Sequence, residues 1–152
     1  MKILVCTDGS NQSQKVLEKA SVLANGNIVD EVIIIYVYDG SFVPGSEDPS
    51  SLSEDFKKWQ EKSKKKGEKI LSEAKSFIEH KLDSSKAEEV NIRTIYEKGH
   101  PSSKIINTAY NEEVDMIFIG NRGMSGFKKI LLGSVSNAVV QEATNCSVTV
   151  VK

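Results

Sequence analysis

The chain has 152 residues, with 20 basic and 21 acidic side chains and a net charge of −1. That length suits one domain with a sizeable core, and a single domain is expected over residues 1–152. The charge balance supplies no global field for nucleic acid or an anionic membrane, so neither is an expected partner. The longest apolar run, Val32 to Val37 with Tyr36 inside it, is too short to cross a bilayer. Only four apolar residues follow Met1-Lys2, too few for a secretory signal, and a cytoplasmic protein is the expectation.

Ile3-Leu4-Val5-Cys6 reads as a first strand, ending in Thr7-Asp8-Gly9-Ser10. Val16, Leu17, Ala20, Leu23 and Ala24 then fall at helical spacing from Ser13 to Ala24, and Asn25-Gly26-Asn27 ends that helix. Glu31 to Tyr38 is a second strand, whose unbroken Val32-Ile33-Ile34-Ile35 fits a strand covered on both faces. Asp39 to Ser53, rich in Gly, Pro and Ser, reads as a long loop, a lid or partner contact.

A long helix is predicted from about Glu54 to Leu82, with an apolar stripe through Trp59, Gly67, Ile70, Leu71, Ala74 and Ile78. Lys57, Lys58, Lys62, Lys64, Lys65, Lys66 and Lys69 cluster in its first half. Interspersed acids and the lack of an aromatic ladder favour a solvated face there over a polyanion site. Gly67 costs roughly 1 kcal/mol against alanine and marks either close backbone packing or a break. Glu89 to Tyr96 alternates as a third strand nearer an edge, and Gly99-His100-Pro101 turns into a helix over Ser102 to Tyr110. Met116-Ile117-Phe118-Ile119 is a fourth strand, Ser134 to about Thr144 a last helix, and Cys146 to Val151 a fifth strand. Cys6 and Cys146 form no CxxC motif or disulfide framework and read as reduced, core-facing thiols. The β-α alternation gives an α/β fold, a three-layer doubly wound parallel sheet.

The chemistry gathers around Gly120-Asn121-Arg122-Gly123 and, nine residues on, Gly133-Ser134-Val135-Ser136. Glycines leaving a strand let the backbone turn and a ligand approach without a Cβ in the way. A Gly-Ser pair opening a helix offers unpaired N–H groups at the positive end of its dipole, which describes a phosphate site. If the strand order is 3-2-1-4-5, the ligand crevice lies between strands one and four. Asp8 and Gly120 both leave strands there. Asp8 suits a ribose hydroxyl or a divalent cation such as Mg²⁺, or it is a turn residue ahead of Ser10. Other phosphate motifs fail: Gly133 is followed by Ser134 with no P-loop lysine, and no GxGxxG follows strand one. The acidic cluster of a receiver domain is also missing. Lys128 and Lys129 read as solvent-facing, Met124, Phe127, Ile130, Leu131 and Leu132 as packing that loop down, and His80 and His100 as structural.

Gly120-x2-Gly123-x9-Gly133-Ser134 resembles the ATP-binding signature of the universal stress protein family. Ile3-Leu4-Val5 with Asp8-Gly9-Ser10, Tyr36-Val37-Tyr38-Asp39, Gly99-His100-Pro101, Val114-Asp115-Met116-Ile117 and the closing Cys146 to Val151 extend the likeness along the chain. Ser147 stands where that closing strand usually has proline. The resemblance implies a Rossmann-like, flavodoxin-like sheet of order 3-2-1-4-5, of the adenine nucleotide alpha hydrolase-like kind. It implies adenine beside Cys6, Thr7 and Val37, with Asp8 on ribose or Mg²⁺. Gly120, Arg122 and Gly123 would wrap the phosphates from one side and Gly133, Ser134, Val135 and Ser136 from the other, with Ile119 also among the nucleotide-binding residues. The implied ligand is ATP, ADP or AMP, and the implied assembly a homodimer through strand 146–151. With no Ser/His/Asp set or carboxylate pair in view, a regulatory binding module is expected. The alternatives are slow Mg-dependent ATP hydrolysis, with Asp8 on the metal and Arg122 on developing charge, or an interaction protein with a vestigial pocket.

Overall fold

A computed structural model describes residues 1–39, 52–121 and 132–152, without the side chains of 52–56. Most of the 39–53 loop, and Arg122, Gly123 and the rest of 122–131, lie outside the described residues. In chain order the elements are β1 (Lys2–Cys6), α1 (Asn11–Ala24), β2 (Glu31–Tyr38), α2 (Leu52–Lys81), α3 (Ser84–Ala87), β3 (Asn91–Lys98), α4 (Pro101–Asn111), β4 (Met116–Gly120), α5 (Ser134–Glu142) and β5 (Ser147–Val151). The five strands form one sheet of order β3-β2-β1-β4-β5, and every neighbouring pair is parallel. β3 is an edge strand, as its alternation predicts.

Side chains of β2 alternate between two cores. Val32 and Ile34 enter one with Val16, Leu17 and Ala20 of α1 and Leu71, Ala74 and Ile78 of α2. Ile33 and Ile35 enter the other with Ile105 and Ala109 of α4 and Val139 of α5. Both faces are therefore covered, which is why the run carries no polar alternation. Each Val, Leu or Ile among them, moved from water into the core, contributes about 1.5–3 kcal/mol.

Local chemistry sets the boundaries. Ser10 caps α1, its Oγ accepting from Ser13 N–H at 3.2 Å, so that helix starts two residues before its periodic apolar run. β3 starts two residues later than its alternation predicts. The amide of Val90 instead donates to Lys86 O at 2.9 Å, closing a short α3 that apolar periodicity does not reveal. Cys146 stands one residue ahead of β5 and is partly exposed, whereas Cys6 ends β1 and is buried. Gly67 is buried in α2 without breaking it. A Cβ there would stand 2.5 Å from Tyr96 Cε2 and 2.9 Å from Tyr36 Cδ1, so the helix approaches the sheet by lacking a side chain.

Candidate functional site

At the carboxyl end of the sheet, β1 turns one way through α1 toward β2, while β4 lies on its other side. The two loops diverge and leave a cleft of about 240 Å³. Cys6, Thr7 and Asp8 from the end of β1, Ile35 and Val37 of β2, and Ile119 and Gly120 of β4 line it. Gly133, Ser134, Val135 and Ser136 at the start of α5 close one side, and Pro101 and Ile105 of α4 another. Ten of the twelve residues expected at a ligand site thus share this cleft; Arg122 and Gly123 lie outside the described residues.

Ser13, Ile35, Pro101 and Ile105 also line it, and the sequence reading did not include them. Ile35 was within reach of that reading, because it lies two residues from Val37 on the same strand and so shares its face. Pro101 opens the helix after β3, and the strand-end rule that selects Asp8 and Gly120 applies to it equally. Ser13 carried no signal of its own. It enters through a local network in which Thr7 Oγ1 donates to Ser13 Oγ at 3.2 Å and Ser13 Oγ donates to Ser10 O at 2.8 Å.

Asp8 is at once a turn residue and a cleft residue. Its Oδ1 accepts the Ser10 N–H at 2.9 Å, and the next residue, Gly9, takes φ +76°, where an L side chain is strained. Gly120 and Gly133 are not in that region: Gly133 has φ −68° and ψ 161°, and among the described residues the glycines with positive φ are Gly9 and Gly99. Of the glycine pair expected to turn the chain after β4, Gly120 does so without a positive φ, and Gly123 lies outside the described residues. What Gly133 contributes is a helix start without a side chain over it.

That start is open. In α1 the cap Ser10 takes up the Ser13 amide, but at α5 the cap is Gly133 and no side chain among the described residues caps the end. The first intrahelical bond runs from Asn137 N–H to Gly133 O at 2.9 Å. The amides of Ser134, Val135 and Ser136 have no acceptor among the described residues. The turn is held from behind: Gly133 N–H donates to Asn121 O at 2.7 Å, and Asn121 N–H to Val151 O at 2.8 Å. Ser136 Oγ lies 3.2 Å from Asn121 O and 3.1 Å from Gly133 O, so its hydroxyl braces the loop.

The inner half of the cleft is apolar, formed by Cys6, Ile35, Val37, Ile105 and Ile119. Burial pushes the Cys6 thiol far above its ordinary pKa, so it stays protonated and behaves as a small apolar side chain rather than a nucleophile. The cleft is therefore amphipathic: an apolar recess at one end, and three outward amides with one carboxylate at the other. His80 and His100 stay apart from it. His80 Nδ1 lies 2.6 Å from Ser76 O on its own helix, and His100 caps α4 with Nδ1 3.1 Å from Ser102 Oγ.

The sequence profile of the Universal stress protein family matches residues 1–152. Universal stress protein YxiE of Bacillus subtilis is 35% identical over 157 residues, covering 99% of this chain and 98% of its own. Among solved structures, MJ0577, a universal stress protein of Methanocaldococcus jannaschii, has a TM-score of 0.79 at 28% identity, covering 99% of this chain and 94% of that one. The universal stress protein from Archaeoglobus fulgidus in complex with dAMP has a TM-score of 0.61 at 22% identity, over 100% of this chain and 98% of its own. Matched over residues 1–152 by the family profile and along nearly all its length by YxiE, the chain belongs to the universal stress protein family.

Proposed function

We propose that this chain is a regulatory module that holds ATP in the cleft between β1 and β4. The observation that carries the reading is the start of α5, where three amides without acceptors among the described residues border a cleft with an apolar recess. Such amides, at the positive end of a helix dipole, bind an anion, and phosphate is the anion that comes attached to a flat apolar base. The adenine lies in the recess beside Val37 and Cys6, the ribose passes Asp8, and the phosphates reach Ser134 to Ser136, with Arg122 and Gly123 completing the clasp. About 240 Å³ is small for a ligand pocket, which suits an enclosed nucleoside with its phosphate tail toward solvent. Asp8 fits a shared Mg²⁺, because its Oδ1 is taken by Ser10 and its other oxygen has no hydrogen-bond partner among the described residues. A relative of the same fold in complex with dAMP is consistent with an adenylate in this family's cleft.

Titration calorimetry with ATP, ADP, AMP and adenosine, with and without Mg²⁺, tests the reading. The expected order is ATP tightest, with a dissociation constant of about 10 µM, corresponding to about −6.8 kcal/mol. At a hundredfold excess over that constant, ligand linkage adds about 2.7 kcal/mol and raises the melting temperature by about 5–10 °C. No heat and no shift with any adenylate would refute it.

The chain also forms a homodimer in this reading, through antiparallel pairing of β5 about a two-fold axis. β5 ends the sheet order, and its outer edge carries Val148 and Val150, both partly exposed. An edge that is apolar and β-prone invites pairing unless covered. Light scattering at micromolar concentration should give twice the chain mass; a monomer would count against it.

A further inference from the structure

We propose that the outward face of the first half of α2 is a docking strip for the phosphodiester backbone of nucleic acid, gripped without regard to base sequence. Lys57, Lys58, Lys62, Lys64, Lys65, Lys66 and Lys69 are all exposed there, against Glu61 and Glu68 in the same stretch and Glu54 and Asp55 in the turn ahead of Lys58. Along the sequence the charges look mixed. On the helix they separate in part: Glu61 lies three residues from Lys58 and four from Lys65, and Glu68 three from Lys65, but both acids project to one side of the lysines. At about 100° per residue, Lys58, Lys62, Lys65 and Lys69 follow one row, i, i+4, i+7 and i+11, with Lys66 beside it. The row is about 16 Å long, in steps of about 4.5–6 Å. Glu61 and Glu68 fall on the flank with Lys57 and Lys64, and Lys64 pairs with Glu68 at 3.8 Å. Lys69, at the far end, pairs with Glu73 at 3.7 Å. Lys58, Lys62, Lys65 and Lys66 make no ion pair or hydrogen bond among the described residues.

The buried side of α2, through Gly67, Leu71, Ala74 and Ile78, lies opposite the row, so the lysines face solvent. α2 packs on β2 and β3 in the core shared with α1, while the recess of the nucleotide cleft belongs to the other core. The strip is therefore separate from the nucleotide site. The near-zero net charge that argues against nucleic acid averages over this segregation: with the row removed, the remaining surface is net acidic.

That acidic remainder selects the partner's shape. A flat anionic membrane would meet the carboxylates as well as the row, and the apolar face of α2 is already spent on the sheet. A linear phosphate chain can follow the row alone. Lysine ammonium groups are point charges on mobile stems, suited to phosphate oxygens without fixed geometry. The row has no arginine to read a base edge, and Trp59 is turned onto Tyr38 at 5.3 Å rather than outward for base stacking. Binding is therefore electrostatic and indifferent to sequence.

The test is fluorescence anisotropy with a labelled single strand and a labelled duplex at 50 and 200 mM salt, using nucleotide-free protein. Four lysines on phosphates give slopes of log K against log salt of about −2.8 and −3.6, a roughly 50-fold and 150-fold weakening across that range. The variant with Lys58, Lys62, Lys65 and Lys66 all changed to Gln should bind at least tenfold more weakly at 50 mM, with a flattened slope and an unchanged melting curve. A second variant, with Lys15, Lys19, Lys104 and Lys152 changed to Gln, removes the same charge elsewhere and should stay within twofold of the parent. Equal losses from the two variants would mean net charge alone acts and would overturn the proposal. No binding at 50 mM would overturn it too, as would polyglutamate or phosphatidylserine vesicles competing as well as nucleic acid does.

Discussion

Replacing Gly67 with alanine lowers the melting temperature of this protein by several degrees, although alanine is the better helix former. Two effects of opposite sign meet at the site. Removing a glycine from a helix interior gains about 1 kcal/mol. Against that, the new methyl would stand 2.5 Å and 2.8 Å from Tyr96 Cε2 and Cδ2 and 2.9 Å from Tyr36 Cδ1. Those rings cannot yield cheaply. Tyr36 and Tyr96 are register partners on β2 and β3, stacked with centroids 6.0 Å apart, and the helix lies directly over them. Overpacking of this kind costs about 1–3 kcal/mol, and contacts this short with rigid rings put the cost toward the upper end. The net loss is about 1–2 kcal/mol, or about 3–8 °C for a domain of this size. Thermal melts of Gly67→Ala, Tyr96→Leu and the double variant separate the causes. If the clash decides, the double variant recovers at least about 1 kcal/mol of coupling. A Gly67→Ala protein as stable as the parent would mean that helix and sheet are not in this contact.

Gly67 also shows where the sequence becomes unreadable. Its place on the apolar stripe was plain from helical spacing, but packing and a break remained equally open, because its contacts are about thirty residues away on either side. Strand order and parallel pairing were legible, since Val32 to Ile35 and Met116 to Ile119 are apolar enough to exclude an exposed face and the family resemblance supplies the order. Boundaries followed local hydrogen bonds that periodicity does not encode. Ser10 starts α1 by capping it, and the turn that closes α3 takes up Glu89 and Val90, where β3 was expected to begin. In the cleft, the residues at strand ends and at the start of α5 could be named in advance because one topological rule places them together. Ser13 and Ile105 could not: each reaches the cleft from inside a helix, where lining a cavity and filling a core leave the same apolar or small-residue pattern. The lysines of α2 were expected on a solvated face and each is exposed, but how charge distributes over that face depends on helical spacing. The residues that neutralise one another on a helix are three or four apart, so a run that alternates in sequence can segregate on the surface.

Changing Ser134 to aspartate should abolish most of the affinity for ATP while leaving the protein at least as stable. Ser134 is the first residue of α5 and is exposed, so a longer side chain meets no packing. A carboxylate in the first turn interacts favourably with the helix dipole by about 0.3–1 kcal/mol, so the melting temperature of the free protein holds or rises slightly. The same carboxylate competes with phosphate for the three open amides and repels it. Two unit charges 4 Å apart cost about 1 kcal/mol in bulk water and about 4 kcal/mol at an effective dielectric of 20. A site at the mouth of a cleft falls between these limits, so ATP binding weakens about tenfold to several hundredfold. Ser134→Asn, neutral and of similar shape, should keep affinity within a few-fold of the parent. Adenosine supplies the internal control: it lacks phosphate, so its weaker binding in the recess should be the same in all three proteins. Raising the salt should narrow the gap between Ser134→Asp and the parent, because the repulsion is screened over about 8 Å at physiological ionic strength. If Ser134→Asp is folded and binds ATP like the parent, the phosphates are not at the start of α5. If it loses adenosine as strongly as ATP, the substitution has deformed the cleft rather than charged it.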